Sequence, residues 1–136
     1  MINVHLVPLG SVDEVWPIIA PRIVEGLKKT PSDHSIGDLW TGCRGGRTFL
    51  LLATDEASIK GITIWRLAHE HFECINIVGE QADTWMKPVC ELALAIAKNN
   101  GCTGIAGSGR TGWIRLMKKL FPTTKVVRQT YVVRCE

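Results

Sequence analysis

The alternation of apolar and polar positions divides the chain into short strands and amphipathic helices. Ile2 to Leu9 alternates weakly and ends in Pro8-Leu9-Gly10, so it reads as a first strand closed by a turn. Ser11 and Glu14 stand at the spacing of a capping box. Val12, Val15, Trp16, Ile19, Ile23 and Leu27 then recur at helical period to about Lys29. Pro17 and Pro21 each remove a backbone donor inside that stretch, which predicts a kink or two short helices. Thr30 to His34 reads as a linker and Ser35 to Trp40 as a short second helix. Gly42-Cys43-Arg44-Gly45-Gly46-Arg47 reads as a glycine-rich loop on the approach to a hairpin, since it matches neither the Walker loop nor the dinucleotide fingerprint.

Three strands follow: Thr48 to Ala53, Ile59 to Leu67 and Phe72 to Val78. The turn residues Thr54 to Ser58 and His69-Glu70-His71 join them as an antiparallel meander, with Ile62, Ile64 and Arg66 on one face. Past the polar turn Gly79 to Thr84, Val89, Leu92, Ala93, Ile96 and Ala97 form the stripe of a long helix from about Trp85 to Asn100. Pro88 sits in its first turn, and Asn99-Asn100-Gly101 supplies the stop. Cys102 to Ala106 is a short strand that the crossover makes parallel to the earlier one. Ser108 to Gly112 opens a last helix, Trp113 to Leu120, and Lys125 to Val127 and Gln129 to Arg134 read as closing strands. This order predicts one α+β domain over residues 1–136, with a mixed sheet. Its centre is the strand–turn–helix from Phe72 to Gly101. A strand feeding a helix N-terminus leaves backbone N–H groups facing outward, a natural seat for an anion.

Composition fits an ordinary globular protein: 136 residues, 46% apolar and 21% charged. No apolar run approaches the length of about 18 residues that a membrane span needs, and the N-terminus lacks the features of a secretory signal. Five Cys, an odd number on predicted strands and helices, point to reduced thiols and a cytoplasmic setting. Net charge is +3, and from Arg110 onward seven Lys or Arg face one acid, Glu136. A solvated basic face accounts for this better than a nucleic-acid site does. His69, His71 and Cys74 lack a fourth ligand nearby and read as a solvated turn rather than a metal site.

The element order, together with Trp113-Ile-Arg-Leu-Met-Lys-Lys-Leu-Phe-Pro122 and the helix ending Ala97-Lys-Asn-Asn-Gly-Cys102, resembles the GNAT superfamily of acetyl-CoA-dependent N-acetyltransferases. In size and style the chain is similar to the small, diverged GNAT-like proteins of tailed bacteriophages. The resemblance implies a mixed, mostly antiparallel sheet flanked by helices. It also implies acetyl-CoA as cofactor, with Ile77 and Val78 beside Asn76 holding the acetylated arm. The turn Gln81-Ala82-Asp83-Thr84-Trp85-Met86 falls where the family grips pyrophosphate with Gln/Arg-x-x-Gly-x-Gly/Ala. Thr84 and Met86 replace its two glycines, and Asp83 at that point reads as a helix cap, so the seat is expected to be filled by the protein itself. Met117 replaces the tyrosine that often protonates the leaving thiolate, and a thioether donates no proton. Tyr131, the lone tyrosine, reads as packing.

For the base that deprotonates the amine, Glu73 and Glu70 are the candidates, with Glu80 as a third. The resemblance therefore implies a diverged acetyltransferase acting on a small amine, a lysine or a protein N-terminus. The alternative it leaves is a catalytically inactive GNAT-fold phage protein, acting as a virion component or binding a host protein. Homo-oligomers are compatible with either.

Overall fold

The structure is a computed structural model that describes residues 1–30, 32–56, 58–107 and 111–125. Strand β1 (Asn3–Leu6) leads through a short 3-10 turn (Leu9–Ser11) into α1 (Val12–Lys29) and α2 (Ile36–Gly45). The meander β2 (Phe49–Asp55), β3 (Ser58–Ala68) and β4 (His71–Gly79) follows. A second 3-10 turn (Ala82–Thr84) then leads to α3 (Met86–Asn99), β5 (Gly104–Gly107) and α4 (Thr111–Leu120). The strands lie in the order β1-β2-β3-β4-β5, antiparallel except for the parallel pair β4–β5. The expected closing strands fall almost wholly at 126–136, and Tyr131 with them, outside the described residues.

Period-two patterning builds a core on each face of the sheet. Leu50, Leu52, Ile62 and Ile64 pack against Val12, Ile19 and Ile23 of α1 and Leu39 and Cys43 of α2. Leu51, Ala53, Trp65 and Phe72 pack against Val89, Cys90, Ala93 and Ala97 of α3. Phe72 stacks on Trp65 at 5.3 Å and meets Phe49 edge-on at 5.1 Å. Thr63, the buried polar residue of β3, donates to the Leu51 carbonyl and accepts from the Trp65 indole, so neither group is left unpaired.

Three local expectations are corrected. Helix α1 is continuous through Pro17 and Pro21. Both prolines are exposed, so the carbonyls that lose a helical partner face water. Ser11 does not cap that helix: the preceding 3-10 turn already holds it in the helical region (φ −103, ψ −5), and its hydroxyl makes no cap bond. The capping box lies instead at α2. There the Ser35 hydroxyl accepts from the Asp38 amide, while the Asp38 carboxylate accepts from the Ser35 amide and is held below its usual pKa by those bonds to Ser35. From that start α2 runs on through Gly42 and Gly45 to a left-handed cap at Gly46, so the glycine-rich stretch is mostly helix rather than loop.

Candidate functional site

The site forms where β4 and β5 part. Among the described residues their pairing covers His71↔Gly104 to Cys74↔Gly107, while β4 continues to Gly79. Over Ile75–Gly79 it pairs only with β3, so among the described residues its other edge is open. A register shift marks the parting. Ile64 faces Asn76 and Trp65 faces Cys74, which leaves Ile75 as a bulge that bends the strand.

A cleft of about 740 Å³ runs along this edge. Its floor is β4 from Glu73 to Gly79 with Glu80 just beyond, one wall is the second half of α1, and His34 and Trp113 stand at its sides. Helix α1 approaches closely because residue 26 is glycine: a Cβ there would lie 3.0 Å from Val78 Cγ2. The Arg66 guanidinium donates to Glu73 Oε1 from Nε (3.0 Å) and Nη2 (2.7 Å). The pair is only partly buried, so it orients Glu73 more than it stabilises the fold. Arg22 donates from Nη1 to the Ile59 carbonyl at 2.6 Å. Asn76 Oδ1 is buried without a hydrogen-bond partner among the described residues.

Cys74 also lines the cleft, with its sulfur 3.4 Å from the Asn76 carbonyl oxygen. Burial pushes its thiol up to about 12, so at neutral pH it is neither a nucleophile nor a useful acid. Burial raises Cys90 to about 12 as well, and that sulfur lies 3.9 Å from Met117 Sδ, between α3 and α4. The folded chain therefore keeps protons that unfolded thiols release near their ordinary pKa of 9.0. This contribution to stability is complete below about pH 9 and is lost as pH rises towards 12. Denaturant midpoints are expected to fall between pH 8.5 and 10.5, more steeply for the parent than for a Cys74→Ala/Cys90→Ala variant (about those thiol pKa values). Equal slopes would remove the thiols as the cause.

At the far end of β4 the chain closes on itself. Gln81 takes a left-handed conformation (φ 54), and the Thr84 amide and hydroxyl both donate to its carbonyl, at 2.9 and 2.7 Å. The Trp85 amide donates to the Ala82 carbonyl at 3.2 Å. The Trp85 indole is fully buried, donates from Nε1 to the Glu80 carbonyl at 2.8 Å, and lies on Gly61 and Gly79, where any Cβ would come within 2.7 Å of the ring. Asp83 is exposed and caps nothing: Trp85 is the N-cap of α3, and no side chain bonds there. The expected Asp83 cap is thus replaced by a turn held through Thr84 and Trp85. Met86 and Lys87 still present amides ahead of the first intrahelical bond.

No protein-family model matches the sequence, and no curated protein matches it. Solved structures do. A probable acetyltransferase superposes with TM-score 0.72 at 10% identity, covering 98% of each chain. An aminoglycoside acetyltransferase from an uncultured soil metagenomic sample, in complex with sisomicin, gives 0.69 at 13% identity over 98% of this chain and 97% of that one. A predicted acetyltransferase with acetyl-CoA from Clostridium acetobutylicum gives 0.67 at 9% identity over 98% and 96%. This chain has the GNAT acetyltransferase fold. The mixed, mostly antiparallel sheet with flanking helices agrees with the sequence reading.

On this GNAT fold, Glu73, Ile77, Val78 and Glu80 line the cleft. Glu70 sits in the exposed β3–β4 turn, away from the cleft lining, and its carbonyl accepts from Thr103. Residues 81–86 form the adjoining turn and helix start rather than the cleft itself. His34, Arg22 and the side chain of Asn76 are additions from the structure, since the sequence reading used Asn76 only through its backbone. Asn76 carried a signal: it is the polar residue of Ile75-Asn76-Ile77-Val78. His34 carried none beyond its place in a linker. Among the described residues no helix is long and apolar enough to cross a membrane.

Proposed function

We propose that the chain is a diverged N-acetyltransferase that transfers an acetyl group to an amine in the cleft beside β4. The observation that carries this reading is the open edge of β4 facing a cleft that contains Glu73. Acetyl-CoA supplies the acetyl group as an activated thioester. Among the described residues, the backbone groups of Ile75–Gly79 that face away from β3 have no strand partner and could pair with an extended amide-bearing arm, which supports this part of the site for the cofactor.

The diphosphate end fits less fully. The amides of Thr84 and Trp85 are engaged within the turn, which leaves Met86 and Lys87 to meet an anion at the start of α3. Gln81, Ala82 and Asp83 flank that position. Glu73 is the group that takes the amine proton, held in place by Arg66. With Met117 packed against Cys90, the leaving sulfur has no phenol at that helix position to protonate it.

The engaged turn amides favour a second reading, an inactive GNAT-fold phage protein that binds a partner protein. Calorimetry with acetyl-CoA, followed by thiol release in the presence of amines, separates the two. Saturable binding with amine-dependent release of coenzyme A supports the enzyme. No binding at millimolar acetyl-CoA overturns it and leaves the binder.

A further inference from the structure

We propose that the cleft takes its acceptor as a neutral amine, and therefore takes an α-amino group, such as a peptide N-terminus, rather than the side chain of a lysine. This rests on the acetyltransferase reading only for placing the amine beside Glu73 and for what happens to it afterwards.

The way Glu73 is held carries the proposal. Both donors of the Arg66 fork fall on one carboxylate oxygen, Nε at 3.0 Å and Nη2 at 2.7 Å from Oε1. Both residues line the cleft. The carboxylate thus already has its cation, supplied from the neighbouring strand. An ammonium arriving beside it would add a second positive charge to one carboxylate and would meet the guanidinium as a like charge. A neutral amine meets no such cost at Oε2, and it leaves the carboxylate able to accept a proton later.

The rest of the lining does not reverse this balance. Glu25 is bound to Lys28 at 3.2 Å. Asp33 and Glu80 are exposed, and Arg22, Lys29 and His34 line the same cleft. His71, two residues before Glu73 on β4, lies outside the lining. The charges around the cleft therefore offset one another and concentrate no cations. Affinity then follows the uncharged fraction of the acceptor, which separates amines by their own basicity. At about pH 7.5, roughly a third of an α-amine with a pKa of about 7.8 is neutral, against roughly one part in a thousand of a lysine near 10.4.

The test titrates two probes, alaninamide as the α-amine and Nα-acetyl-lysinamide as the lysine, into labelled full-length protein without cofactor. Binding is followed by NMR from about pH 6.5 to about pH 8.5, across the α-amine titration. A His34→Gln background removes the imidazole as a competing titration. The Cys74 thiol keeps its proton throughout, because burial pushes it up to about 12. Alaninamide affinity is expected to rise about tenfold or more over that range, and at about pH 7.5 to exceed the affinity for the lysine probe by about tenfold or more. Arg66→Lys keeps a cation on Glu73 and is expected to keep the rise. Arg66→Ala is expected to lose it, because the bare carboxylate then accepts the ammonium. The pair is partly exposed, so that variant still folds. Affinity that stays level or falls as pH rises, an equal or stronger response to the lysine probe, an unchanged profile in Arg66→Ala, or no saturable response to either probe would each overturn the proposal. Acetyl transfer is measured separately. Its absence alongside the expected profile removes the acetyltransferase reading and leaves the neutral-amine seat standing.

Discussion

Replacing Trp85 by alanine is expected to lower the unfolding free energy by about 3–5 kcal/mol, a large share of what a domain of this size possesses. The indole is completely buried, so its removal leaves a cavity between α3 and the β3–β4 pair. The surroundings cannot collapse easily, because the ring rests on the backbone at Gly61 and Gly79 rather than on side chains able to swing inward. The Glu80 carbonyl also loses the indole N–H. Gly79→Ala tests the same contact from the other side. Its new Cβ would meet the Lys60 carbonyl oxygen at 2.5 Å, at a φ of +152° that alanine rarely adopts. Denaturant midpoints read both effects. A loss below about 1 kcal/mol for Trp85→Ala would mean that the turn at 80–86 does not depend on this anchor.

Glu73→Gln is expected to reduce kcat by about 10²- to 10⁴-fold with the amine that the parent acetylates, the range for loss of a general base. Acetyl-CoA affinity should stay within about twofold, because the change lies at the amine side of the cleft. Stability should barely move. The ion pair with Arg66 is partly exposed, and such pairs contribute about 1 kcal/mol or less. Glu70→Gln, in the exposed turn, is the control and should leave turnover within about twofold. A fall in turnover at Glu70 equal to that at Glu73 would take the base away from β4.

The sequence made the sheet and its two cores legible because they depend on short-range periodicity. Leu50 to Ala53 alternate between faces, and the stripes of α1 and α3 point one way. What it obscured was decided by competing local choices. Ser11 and Ser35 both open a plausible cap, and only the conformation of the preceding residues selects Ser35. The glycines of α2 carry no apolar signal of their own, so the helix continued past the point where its pattern faded.

The site follows the same division. Arg66 and Glu73 are placed symmetrically about the His69–Glu70 turn, so their pairing is implied by the hairpin itself. His34 is different: it lines the cleft from the connection between α1 and α2, a placement that no local pattern encodes. The turn at 81–86 lies between these cases. The absence of glycines showed that it departs from an open anion cradle. The means, a left-handed Gln81 and a tryptophan wedge, are tertiary.

The parting of β4 and β5 bears on solubility as well as on ligand binding. Unmet backbone groups on an outermost strand invite a neighbouring molecule to add its own strand, and proteins commonly defend such rims. At β1 the defence is brevity, four residues followed by a proline two positions on. The edge of Ile75–Gly79 that faces away from β3, which has no strand partner among the described residues, lies in the cleft lined by α1 and Trp113. The fold thus sets this open length of backbone inside a cleft lined by α1 instead of leaving it along a bare rim of the sheet.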